Sequence, residues 1–211
     1  MGKKLLQLVL ALAVIGLGFY LYVLISTPIK FGEEQKVREK AVITRIKDIR
    51  TAERQFKSKY QHFTADFDSL INFVLNETME GERKIVDEDD SVAMARLKRL
   101  KKKNVEKFTY SVKDSLFKHL SDEDIQNLRY IPYSDNKEFY LEAAILTTES
   151  KIVIPTVECR APYINFLDTV AYRQEVINLV DNCLNVLNKY PGIKFGSMER
   201  GNNEAGNWEE L

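Results

Sequence analysis

The chain has 211 residues, and its 31 Lys plus Arg balance 31 Asp plus Glu, for a formal net charge of zero. That balance provides no global field to draw in nucleic acid or an acidic partner. Two cysteines permit one bridge at most, and their spacing matches no zinc motif.

Residues 1–4 precede Leu5–Ile25, LLQLVLALAVIGLGFYLYVLI, which carries no charge and has Gln7 as its one strongly polar side chain. A helix of that length spans roughly 30 Å, the hydrocarbon thickness of a bilayer. Residues 5–25 are therefore read as a transmembrane helix. Leu5, Leu8, Leu12, Ile15, Phe19 and Tyr22 serve as its anchor residues, and membrane lipid is its partner. A signal peptide has a core of roughly 7–15 apolar residues and then a small-x-small cleavage site. This run is longer and ends in Ser26-Thr27-Pro28, so an uncleaved anchor is expected. Lys3 and Lys4 favour a cytoplasmic N-terminus, whereas Lys30, Lys36, Arg38 and Lys40 argue the other way. The short leading segment tips the expectation towards an exported C-terminal domain. Pro28 is expected to end or kink the span.

From Glu33 to Tyr60 there is no Gly or Pro, and Val42, Ile46, Ile49, Ala52, Phe56 and Tyr60 recur at spacings of three and four. Residues 26–60 thus read as a polar stalk running into a long amphipathic helix. Its stripe is expected to pack on the chain's own sheet rather than in a coiled coil. Residues 61–190 read as a globular α+β domain. Asp66 suits the N-cap of a short helix that buries Phe67, Leu70, Ile71 and Val74. Another helix is expected near Ser91, with Asp87-Glu88-Asp89-Asp90 before it and Arg96, Lys98, Arg99 and Lys101-Lys102-Lys103 at its far end, as the helix dipole favours. No aromatic interleaves those lysines, so they read as a solvated face and not a nucleic-acid patch.

Phe108, Tyr110 and Val112 alternate with polar residues as a strand does. Ser121-Asp122-Glu123-Asp124 opens a capped short helix. Phe139–Thr147 and Lys151–Arg160 form a hairpin about Thr148-Glu149-Ser150, and Pro155 marks the second strand as an edge or a bulge. A last helix, from about Thr169 to Asn188, turns Val176, Val180, Leu184 and Leu187 inward. Cys159 and Cys183 both face the core, where a disulfide and two buried free thiols are alternatives. Residues 191–211 read as a tail that is either disordered or pinned by Trp208.

No phosphate-binding Gly-rich loop, HExxH, GxSxG or CxxC occurs. His62 and His119 stand apart from any pattern for a metal or a triad, so no catalytic, metal or cofactor residue is assigned and no enzyme is expected. Neither a nucleic acid nor a small-molecule substrate is expected as a partner.

The order of elements, with Ile49-Arg50-Thr51-Ala52-Glu53-Arg54-Gln55-Phe56 running through Lys59-Tyr60-Gln61-His62-Phe63-Thr64 to Asp68-Ser69-Leu70, resembles the type IV pilins and type II secretion pseudopilins. Lys3-Lys4 departs from their precursors, being followed by neither a processing glycine and aromatic nor a glutamate at the head of the span. Lys194-Phe195-Gly196-Ser197 and Ala205-Gly206-Asn207-Trp208-Glu209 also resemble single-span envelope proteins of Bacteroidota. The first resemblance implies a pilin-like α+β fold, with a membrane helix continued by an amphipathic helix on a small antiparallel sheet. It further implies a single-pass subunit of the bacterial inner membrane with a periplasmic domain, contacting other membrane subunits or copies of itself. An extracytoplasmic ligand-binding or sensing domain with an apolar pocket on its sheet face is the alternative.

Overall fold

The computed structural model describes residues 2–87, 89–100, 103–147 and 151–209. Met1, Glu88, Lys101, Lys102, Glu210, Leu211 and Thr148-Glu149-Ser150, where the hairpin turn is expected, lie outside the described residues, as does the side chain of Lys4.

The chain is α+β, and one helix organises it. α1 runs unbroken over Gly2–Tyr60, about 88 Å at 1.5 Å per residue. Pro28, expected to end or kink it, lies inside it. Proline is tolerated in such helices where nearby hydroxyls help satisfy the backbone. Here the Thr27 hydroxyl donates to the Val23 carbonyl at 2.8 Å, next to the Leu24 carbonyl that Pro28 cannot bond.

α2 (Phe67–Asn76) opens at Asp66, whose carboxylate accepts from the Asp68 and Ser69 amides; the two hydrogen bonds with Ser69 lead in holding its pKa below the usual range. β1 (Thr78–Arg83) pairs antiparallel with β2 (Glu106–Ser111), and α3 (Ser91–Arg99, capped by Asp90) lies between them in sequence. Val112, expected to extend β2, begins α4 (Val112–Leu116) with Ser111 as N-cap. α5 (Asp122–Gln126) carries the expected capping box between Ser121 and Asp124.

β3 (Tyr140–Thr147), β4 (Val153–Pro162) and β5 (Gly192–Gly196) form an antiparallel sheet with β4 in the centre. Pro155 is therefore not on an edge strand, but β5 pairs only with Glu158–Pro162, so the half of β4 that holds Pro155 has a neighbour on one side alone. That open side is where a missing N–H costs no ladder bond. Val157, Cys159 and Ala161 of β4 face inward with Ile193 and Phe195 of β5, into one core with Val42, Ile46, Ile49, Ala52 and Phe56 of α1 and Leu70 and Phe73 of α2.

Three other expectations are corrected here. Tyr60 is 41 % exposed, since α1 ends there and the chain turns away at Gln61, which has φ +63. Leu184 and Leu187 are exposed while Cys183 is buried. After α6 (Tyr163–Phe166) and α7 (Arg173–Asp181), a wide π turn over Asn182–Val186 adds a residue, with the Leu187 amide bonding the Asn182 carbonyl, and rotates the stripe outward. Finally, residues 191–209 of the expected tail 191–211 belong to the domain, because β5 completes the sheet and Phe195 bridges to Gly206.

Gly206 shows how tightly this end is fitted. A Cβ there would stand 2.4 Å from Cζ2 of Trp208. Gly206→Ala is expected to cost about 1–3 kcal/mol by overpacking. Urea unfolding followed by emission of the single tryptophan reads the shift in midpoint.

Candidate protein-protein interface

α1 presents three kinds of surface. Over residues 5–25 its apolar side chains are exposed on all sides, the anchor residues Leu5, Leu8, Leu12, Ile15, Phe19 and Tyr22 among them. The helix is long and apolar enough to cross a membrane, with a mean hydropathy of 2.6 over its most apolar stretch and none of that stretch buried in the chain. So much contiguous exposed apolar surface is uncommon on a soluble monomer.

Beyond the apolar run, one side of α1 packs on the domain. Val42, Ile46, Ile49, Ala52 and Phe56 are buried there. Packing begins within the segment read as a polar stalk. Phe31 is already buried, its ring 5.6 Å from that of Tyr172, and Arg38 donates to the Phe166 carbonyl at 2.8 Å. The opposite side carries Lys36, Val37, Lys40, Thr44 and Lys47, all exposed. Those three lysines make no ion pair among the described residues, although Glu34–Arg38 pairs along the same helix.

The upper end of α1 is clamped by the C-terminal loop. Glu204 is buried, with Arg54 Nε 3.1 Å and Lys57 Nζ 3.5 Å from its carboxylate. Arg50 pairs with Glu209 at 2.6 Å and lies over the Trp208 ring at 5.4 Å. Asn203 and Glu204 both hold positive φ, a backbone cost sustained by these contacts. Trp208 therefore pins the loop, with Arg50, Arg54 and Lys57 as its footing.

Glu53, which the stripe reading passed over, is wholly buried between Ala52 and Phe56. One carboxylate oxygen accepts the Thr64 amide at 3.1 Å, and the other has no hydrogen-bond partner. Burial pushes its pKa up to about 8 against the pull of that single bond. The spacing did contain the signal, because residue 53 follows Ile49 by four and precedes Phe56 by three.

Cys159 and Cys183 are both buried and free. Burial, then the field of Glu53, raises the Cys159 thiol; burial, then Glu39, raises that of Cys183. The two thiols are unbridged, so of the two alternatives the structure has the buried free thiols. His119 is exposed and stands 3.3 Å from Asp48, while His62 bonds the Phe63 carbonyl through Nδ1. Among the described residues no group of three or more His, Cys, Asp or Glu is placed to hold a metal.

The outer sheet face is charged. Arg160 of β4 bridges Glu142 of β3 and Glu158 of its own strand, and Lys194 of β5 reaches Glu158 at 3.5 Å. The inner face is filled by α1 and α2. α1 thus presents an exposed apolar run, a lysine-bearing face beyond it, and a domain fixed to the other side. No family model, curated protein or solved structure matches the chain.

Proposed function

We propose that the protein is a membrane-anchored, pilin-like subunit of a secretion or envelope assembly, working through protein–protein contact with its domain outside the cytoplasm. The observation that carries this reading is the continuity of α1: one helix joins an unpartnered apolar span to a domain that grips one side only. The free side, with Lys36, Val37, Lys40, Thr44 and Lys47, is the surface on which a neighbouring subunit would pack. The filled inner sheet face favours this over a sensor, which needs a cavity there.

A photo-crosslinking residue at Val37 or Thr44, irradiated in native membranes, tests it. The expected result is an adduct with a second copy or another membrane protein, lost when residues 1–27 are exchanged for an unrelated anchor. Migration as a monomer with no adduct overturns the proposal.

A further inference from the structure

The loop between α6 and α7 descends along α1 towards the apolar run. Phe166 is level with Arg38, which bonds its carbonyl, whereas Tyr172 has dropped to Phe31. α7 (Arg173–Asp181) follows the loop. At the tip, Asp168 accepts the Val170 and Ala171 amides at 2.9 and 2.8 Å, which sets a tight turn. Val170 is 94 % exposed. Ile164, Ile177 and Leu184 line an open apolar groove beside it, with the exposed cation Arg173 at its margin.

Single exposed hydrophobes are ordinary, but the base of this loop has a fixed height, set by Tyr172 against Phe31. Phe31 lies six residues beyond Ile25, the last residue of the apolar run, which is about 9 Å of helix rise. A bilayer's polar layers add roughly 5–8 Å on each side of the hydrocarbon core. The α6–α7 loop therefore hangs at the outer edge of the headgroup layer on the side where α1 emerges.

We propose that this corner, with Val170 as its tip, rests in the headgroup region of the bilayer that α1 spans, so that the domain has a second lipid contact. The inference depends on the anchor reading above. An exposed apolar tip beside an arginine suits that layer: the valine rests among the headgroups and the guanidinium pairs with their phosphates. Such a contact fixes the tilt of the domain and leaves the lysine face of α1 upright for a neighbour.

The full chain, reconstituted in vesicles of phosphatidylcholine and phosphatidylglycerol, carries a bimane probe on Val170→Cys, Leu12→Cys or Ser58→Cys; the unsubstituted chain controls for labelling of the buried native thiols. Lipids spin-labelled at the headgroup or deep in the acyl chain act as quenchers. The Val170 probe is expected to lose most of its emission to headgroup labels, the Leu12 probe to deep ones, and the distal Ser58 probe to neither. Quenching at Leu12 without quenching at Val170 overturns the second contact and leaves the anchor standing. A Val170 probe that is blue-shifted yet unquenched shows protein covering the corner, and also overturns it. No quenching at Leu12 removes the anchor reading and this inference with it.

Discussion

Glu53→Gln is expected to stabilise the domain at neutral pH and to flatten its dependence on pH. In the fold the Glu53 carboxyl holds its proton up to about 8, against an ordinary 4.5 once the chain unfolds. Between those values the folded state carries a proton that the unfolded state has released, so stability falls as pH rises through the window. At about 1.4 kcal/mol per pH unit, the rise from 4.5 to 7 removes about 3 kcal/mol. Below 4.5 both states are protonated and the effect vanishes; above about 8 both are ionised and it stops growing. Glutamine keeps an oxygen for the Thr64 amide and places an uncharged group where the unbonded oxygen lies, so it imitates the protonated acid. Urea unfolding from pH 4.5 to 8.5 on both proteins tests this. Equal slopes of stability against pH in the two would show that Glu53 does not titrate in this window.

The parts of the fold that sequence made legible are those governed by period or by a single strong local signal. The α1 stripe from Val42 to Phe56 follows the helical repeat and is buried as expected, and Asp66 and Ser121 cap helices because their side chains reach the amides two or three residues on. The inward set Val157, Cys159 and Ala161 follows from the two-residue period of a strand. β1 was missed because Thr78-Met79-Glu80-Gly81-Glu82-Arg83 has neither β-branched alternation nor a buried face; only Met79 is covered, and pairing with β2 makes it a strand. Leu184 and Leu187 were misplaced because a π turn shifts phase without any residue type that announces it. β5 was missed because Gly192 and Gly196 read as loop. Yet Gly196 has φ +78, and a Cβ there would lie 1.9 Å from the Val157 carbonyl oxygen, so glycine is what allows the two strands to close. The candidate interface was half legible. The apolar run and the stripe could be read from composition and period, while the lysine face and the loop at Val170 needed the tertiary fold to show which surfaces are left open.

Arg160→Met is expected to cost about 2 kcal/mol, because it unbalances four charges that the sheet register forces together. Glu142 and Glu158 stand directly opposite one another on β3 and β4, and Arg160 stands opposite Lys194 on β4 and β5. Each like-charged pair alone is unfavourable across strands, but the diagonals are attractive: Arg160 reaches Glu142 as well as Glu158, where its Nε lies 3.3 Å from the carboxylate. Methionine keeps most of the apolar stem and removes the fork, leaving two facing carboxylates of which Glu158 is nearly buried. Relief of the Arg160–Lys194 repulsion offsets less, since Lys194 already has Glu158 at 3.5 Å. The cost stays below that of a fully buried pair because Arg160 is half-exposed and water shares its charge. Adding Glu142→Gln to Arg160→Met removes one of the facing charges and should recover part of the loss, whereas Glu142→Gln alone gains nothing because it strips Arg160 of a partner. Chemical denaturation of the four proteins yields the coupling. If the two substitutions add without interaction, the diagonal contacts do not hold the outer face and the register is set by the core side alone.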